Sequence, residues 1–426
     1  MKLAVFTSRY PAKTATFFER DMRSLLEAGV ELDVYCLSPL EPALWDYSRG
    51  LLETPGFNAS QVHHAGLARS LARSRAAVLR RPGAHLADAA RILLSALPHG
   101  PVAFAKTAYA LPKAWAWAAG TTRYDHVLAY WGNYAGTAAW AFHRLQGADV
   151  PFSIWLHAGV DLYRTPVFMR QKLAYADNIL TCCDFNRGFI QQQFGAANPA
   201  LAARVHVFHH GLDLDEYQYA DDGREDRVIM AVGRLVAHKG FDYLVRAAAL
   251  LAARGVAFTL EFVGEGPERQ NLEALARSLG VSGMVRFTGW LTPQGARRAM
   301  SRATVLVHPS DGLGDGLPNV VREAMAVGTP VIASDVAGIP DALSDGCGVL
   351  VPPKEPVPLA DAIERLLADA GLRRDIARAA RHRVEARYDR RINGARLADL
   401  LRRTQRLASP RTAPALDTAA MHRREA

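Results

Sequence analysis

The feature that most constrains this chain is the alternation of short apolar runs with amphipathic stretches through its second half. The run 228–232 leads through Gly233 to helical spacing over 240–253. The run 258–263 leads through Gly264 to a helix predicted over 267–279. Runs at 285–287, 305–307, 330–333 and 349–351 alternate with helices predicted over 294–301, 318–327 and 359–367. Strands separated by helices read as right-handed βαβ units, a parallel sheet covered on both faces. The fold class expected is α/β and Rossmann-like. The first half repeats the pattern more loosely, with strands expected at 3–6, 32–36, 126–129, 152–156, 178–181 and 205–208.

With 426 residues, half of them apolar and 22% charged, the chain is too long for one ordinary domain and too apolar for disorder. Cys36, Cys182, Cys183 and Cys347 have neither zinc-ligand nor disulfide-framework spacing, so a cytoplasmic, reducing setting is expected. The opening M-K-L-A-V-F is too short for a signal-peptide core. The apolar stretch 92–120 is interrupted by Pro98, Pro101, Lys106, Pro112 and Lys113, so no membrane span is expected.

Two constellations carry chemistry. In G-R-L-V-A-H-K-G, residues 233–240, Arg234 and Lys239 flank a tight turn after a strand, where α/β sheets bind ligands. They suit a diphosphate, or they are two ordinary cations on a solvated loop. In D-G-L-P-N-V-V-R-E-A-M-A-V-G-T-P-V, residues 315–331, a glycine-rich loop opens a helix with Pro318 in its first turn, and the free N–H groups there suit an anion. Glu323 falls at the edge of that helix's apolar stripe, as a rim carboxylate or as an acceptor of hydroxyl hydrogen bonds. His157 follows the strand 152–156, with Asp161 four residues on; on the residues alone it reads as a satisfied core or loop histidine.

The ordered motifs G-R-L-x-x-x-K-G and D-G-L-P-x-x-x-x-E-A-M-A-x-G-x-P-V, with V-G-E-G-P-E at 263–268 and F-T-G-W at 287–290 between them, resemble retaining glycosyltransferases of family 4. Weaker matches are H-A-G-V-D at 157–161, H-H-G-L-D at 209–213 and the opening 10–18, which is similar to bacterial exopolysaccharide and lipopolysaccharide glycosyltransferases. The resemblance implies the GT-B fold, two Rossmann-like domains facing across a cleft, and a sugar moved from a UDP- or GDP-sugar donor to a glycan or lipid-linked acceptor. Arg234 and Lys239 would neutralise the donor diphosphate, Glu323 would bind ribose hydroxyls, and Asp315 and His157 would meet the donor sugar. Gly264, Gly266, Gly316, Leu317, Pro318 and Asn319 would complete the donor site, with Asp161, Lys13 and Thr14 on the acceptor side. The family motif usually carries glutamate where Asp315 stands. No cofactor and no metal are implied; Asp213-x-Asp215 is a metal motif of the other major glycosyltransferase fold.

The expected domains are 1–211 for the acceptor side and 212–385 for the donor side. A helical segment at 386–405 would cross back to the first domain, ahead of a disordered tail at 406–426. The net charge is +9, and segment 66–123 concentrates it, with nine basic residues against Asp88. That segment reads as a solvated helical face or as a contact with the inner face of the plasma membrane, where Phe104, Tyr109, Trp115 and Trp117 would insert. Nucleic acid is not an expected partner, since no recognition motif accompanies the charge. Rival readings are a nucleotide-sugar epimerase on the same fold and a non-catalytic nucleotide-sugar-binding protein.

Overall fold

The computed structural model describes residues 1–407 apart from 13–15, 81, 147–148, 164–166, 196–197, 221–222 and 313. The expected contacts at Lys13 and Thr14, and nearly all of the expected tail, lie outside the described residues.

Seven strands form the first sheet: β1 (Lys2–Thr7), β2 (Glu31–Cys36), β3 (Val62–His64), β4 (His126–Ala129), β5 (Phe152–Leu156), β6 (Asn178–Thr181) and β7 (Val205–Val207). Their order is β3-β2-β1-β4-β5-β6-β7, and every pairing is parallel. Six strands form the second: β8 (Val228–Val232), β9 (Thr259–Val263), β10 (Val285–Gly289), β11 (Val305–His308), β12 (Val331–Ser334) and β13 (Val349–Val351). Their order is β10-β9-β8-β11-β12-β13, again all parallel. In both sheets the order reverses beside the first strand, which opens a crevice at the carboxyl ends. The continuous burial of β4, β5, β6, β11 and β12 is what helices on both faces impose.

Two expectations change. The edge strand β3 was not anticipated, because V-H-H has no apolar run; it is fixed by pairing with β2. The helical segment expected at 386–405 begins later, as the helix Arg390–Leu407, after a break at Tyr388 and Asp389 that ends the helix Ala370–Arg387. At the break, Leu212 donates to the Tyr388 carbonyl (2.6 Å) and Arg390 donates to the Leu212 carbonyl (3.0 Å), so the two passages between the sheets lie side by side. Beyond it, Leu397, Ala398 and Leu401 enter the core formed by Leu3, Val5, Met22 and Leu25. Asp213 accepts from Arg390 (2.8 Å) and pairs with Arg23 (3.4 Å), while Asp215 pairs with Arg391. These two carboxylates hold the last helix.

Between β3 and β4 the helices Leu67–Arg80, Pro82–Ala96 and Pro101–Ala118 form a helical layer. Phe104, Trp115 and Trp117 pack toward the first core, correcting the expectation that they insert at an interface. Exposed instead are Leu67, Leu71, Leu86, Leu94, Leu97 and Val102. Among the described residues no helix is long and apolar enough to cross a membrane.

Leu401 is fully buried and belongs, by sequence, to the far end of the chain. Its replacement by alanine should lower unfolding free energy by about 2–5 kcal/mol in denaturant titration, the usual cost of a core cavity. Leu407→Ala, at 82% exposure, should leave it nearly unchanged.

Candidate active site in the interdomain cleft

The loops leaving the carboxyl ends of β8 and β11 are stitched together. Asp311 N–H and Ser310 Oγ both donate to the His238 carbonyl at 3.1 Å. Lys239 Nζ reaches both carboxylate oxygens of Asp315, at 2.8 and 2.7 Å. His308, the last residue of β11, and Ser310 add contacts to the same carboxylate at 3.1 and 3.2 Å. Burial alone would raise the Asp315 pKa. The His308 hydrogen bond and the Lys239 charge outweigh it and hold the carboxyl well below the ordinary range, so Asp315 is an anion at any physiological pH.

That network changes the expected role of Lys239. Lys239 is not a free phosphate ligand but the counter-ion of Asp315, and it fixes the turn that displays Arg234. Arg234 is exposed and makes no hydrogen bond or ion pair with a described residue, so it is the cation available to an anionic ligand. Gly264 and Gly266 are required by the packing of two loops. A Cβ at Gly264 would lie 1.9 Å from the Gly233 carbonyl oxygen, and one at Gly266 would lie 2.2 Å from that of Leu235. These glycines allow the loop after β9 to lie directly on the Arg234 turn, where Leu235 N–H donates to the Glu265 carbonyl at 2.9 Å.

The next loop reaches the other domain. A Cβ at Gly316 would stand 3.1 Å from Ala158 Cβ, 3.3 Å from Cys182 Sγ and 3.5 Å from the His157 carbonyl. Gly316 therefore brings Asp315 to the strand ends of β5 and β6. Pro318 is the residue before the helix Asn319–Ala326 rather than in its first turn, with extended ψ of 131°. Leu317 and Pro318 are buried, and the Asn319 side chain accepts from the enclosed Arg322 guanidinium, so their side chains hold the loop. Arg322 also donates to the His210 carbonyl, a further tie between domains. Glu323 faces the first domain, where Arg20 holds its Oε1 at 2.7 Å.

The His157 ring packs among other rings. It lies parallel to His210 at 4.9 Å and 6°, and 4.4 Å from Trp131; its Nδ1 stands 3.5 Å from Asp161 Oδ2, and Nε2 has no hydrogen-bond partner among the described residues. Asp161 is not an acceptor contact. It is 2% exposed, and its carboxylate accepts the backbone N–H groups of Asn133 (3.0 Å) and His157 (2.9 Å), thereby setting the loop that presents His157. Four residues missed by sequence reasoning complete the site: Arg20, Asp21, His210 and His308. Asp21 Oδ2 accepts from His210 Nδ1 (2.6 Å) and from the Tyr130 hydroxyl (2.5 Å). The only sequence signal for Asp21 was a carboxylate on the apolar side of an amphipathic helix.

The solved structures of sucrose-phosphate synthase from Thermosynechococcus elongatus (TM-score 0.71, 20% identity, 95% of this chain and 98% of that one) and of Anabaena HepE with UDP (TM-score 0.68, 18% identity, 94% and 99%) share its architecture. At those identities they establish the fold, GT-B, with two parallel-sheet Rossmann-like domains. Residues 220–383 match the family described as glycosyl transferases group 1, so the second half carries a glycosyltransferase domain. Alpha-D-kanosaminyltransferase of Streptomyces kanamyceticus is 34% identical over 214 residues, 47% of this chain and 55% of that protein. The amylovoran biosynthesis glycosyltransferase AmsK of Erwinia amylovora is 25% identical over 435 residues, covering 95% and 100%. The chain spans about half the length of the curated relatives that exceed 30% identity.

Burial pushes the His210 pKa down to about 4, against the opposing pull of Asp21. A histidine kept neutral in the fold but protonated near 6.5 when unfolded costs stability as pH falls from about 6.5 toward 4. Wild-type protein should lose on the order of 2 kcal/mol more than His210→Asn between pH 7.5 and pH 5. Urea titrations of both proteins at the two pH values measure this difference.

Proposed function

We propose that this chain is a retaining, metal-independent glycosyltransferase that takes a sugar from a UDP- or GDP-sugar. The observation that carries the reading is the pairing, in one cleft, of Arg234 on the β8 turn, which has no partner among the described residues, with the N–H groups that open helix Asn319–Ala326, which no side chain caps. A cation beside a helix N-terminus suits a diphosphate, and Glu323 one turn further on suits ribose hydroxyls. The match of residues 220–383 to glycosyl transferases group 1 supports the same reading.

In this mechanism Arg234 and the helix N–H groups stabilise charge that grows on the departing diphosphate, where preorganised donors act most strongly. The Lys239–Asp315 pair fixes those donors and supplies a carboxylate toward the donor sugar. His157, enclosed by aromatic rings and with no hydrogen-bond partner for Nε2 among the described residues, is placed to bind a sugar hydroxyl. The Asp315 carboxylate is tied to Lys239, His308 and Ser310 and so acts as a binding group rather than a nucleophile; in this reading the acceptor attacks from the leaving-group side and the departing phosphate takes its proton. The acceptor is a bacterial surface glycan or its lipid-linked intermediate, in line with the similarity to AmsK and to the lipopolysaccharide core glycosyltransferase LpsE of Rhizobium meliloti. The exposed leucines at 67–97, interleaved with Arg69, Arg73 and Arg91, supply a surface suited to anionic lipid, and so to a peripheral place at the inner face of the plasma membrane.

Release of nucleoside diphosphate from a panel of UDP-, GDP- and dTDP-sugars, with candidate glycan acceptors, tests the reading; NMR of the product anomer tests retention. An inverted product would overturn the retaining assignment. Arg234→Ala should reduce kcat/KM by about 10²-fold, as loss of one charge-stabilising donor does, and leave Tm within experimental error because Arg234 has no partner among the described residues to abandon. Lys239→Ala should lower both activity and Tm, since it leaves Asp315 buried without its ammonium.

A further inference from the structure

The ion pair at Glu323 joins two domains: Arg20 stands on helix Thr16–Glu27 of the first, Glu323 on helix Asn319–Ala326 of the second. Both side chains are largely enclosed, at 13% and 17% exposure. The Nη2 atom that holds Glu323 Oε1 at 2.7 Å also reaches the Tyr217 hydroxyl at 3.3 Å. Tyr217 is itself fixed, being buried beneath the Arg297 guanidinium at 5.3 Å, and Arg297 pairs with Glu216 at 2.9 Å. Arg20 is thus a braced donor rather than a mobile surface arginine. Glu323 Oε2 has no hydrogen-bond partner among the described residues.

Resting on the donor-site reading above, we propose that Arg20 is a positioning residue for nucleotide binding: it fixes the Glu323 carboxylate so that Oε2 is presented to the ribose hydroxyls. A glutamate has three side-chain torsions to freeze before it can accept two vicinal hydroxyl groups, and a partner that has already frozen them removes that cost from binding. A guanidinium suits the task because it stays charged at every relevant pH and donates along fixed directions. Because the guanidinium comes from the opposite domain, it can act only when the domains are closed, so the carboxylate is set for ribose in the closed form alone.

The test is a double-mutant cycle read by calorimetric titration of UDP and of GDP into wild type, R20Q, E323A and R20Q/E323A, with R20K as the conservative variant. For the nucleotide that wild type binds, R20Q should weaken affinity about tenfold, the usual effect of losing a hydrogen bond to a charged group. R20K should recover part of the loss, and the double variant should bind no more weakly than E323A, because both changes act through one contact. In turnover assays R20Q should raise KM for the donor more than it lowers kcat. A merely structural role would lower Tm and leave affinity per folded molecule unchanged, which overturns the proposal. So does tighter binding by R20Q, which would make Arg20 a competitor of ribose, or losses that multiply in the double variant. If E323A binds as wild type does, the ribose assignment itself fails and the proposal fails with it; if E323A weakens binding and R20Q does not, only the proposal fails.

Discussion

Every strand pairing in both sheets is parallel, and the rest of the molecule follows from that constraint. Parallel strands joined by right-handed crossovers place all their carboxyl ends on one rim. The rims of the two sheets meet where Gly316, beyond β11, packs on His157 and Ala158 beyond β5 and on Cys182 beyond β6. Each loop with chemistry is therefore delivered to the same cleft, although 158 positions of sequence separate His157 from Asp315.

Within the cleft, the charged groups divide into those that hold the site and those that face it. Lys239, Asp161 and Asp21 are committed to internal partners, and their removal would leave buried charges or unsatisfied N–H groups. Arg234, His157 Nε2 and Glu323 Oε2 retain bonding capacity among the described residues. This division explains why a cleft dense in ionisable groups can be both rigid and receptive.

The α/β class and the strand series of the second half were legible in the sequence because buried parallel strands are written as continuous apolar runs. Strand β3 was not, since an edge strand needs no apolar run and His63 and His64 are only partly buried. Local pattern also placed Arg234, Asp315 and Glu323 at strand ends and at a helix start. It could not show that Lys239 closes on Asp315, or that Arg20 crosses to Glu323 over 303 positions, because such pairings are fixed by how the two sheets face one another. Gly264 and Gly266 were read as ligand contacts. Their reason lies in backbone packing, which a glycine pattern does not distinguish from phosphate binding. Asp161 was misassigned for a similar cause: a carboxylate near a strand end serves N–H groups of its own chain as readily as a substrate.

The central claim is that a nucleoside diphosphate lies between the β8 turn and the helix Asn319–Ala326. A crystal structure of the protein with UDP or GDP bound tests it most directly. The expected result is a diphosphate in contact with Arg234 and the N–H groups after Leu317, with ribose hydroxyls within hydrogen-bond distance of Glu323. A nucleotide bound elsewhere, for example in the arginine-lined groove beside helix Arg390–Leu407, with Arg234 and Glu323 untouched, would contradict it.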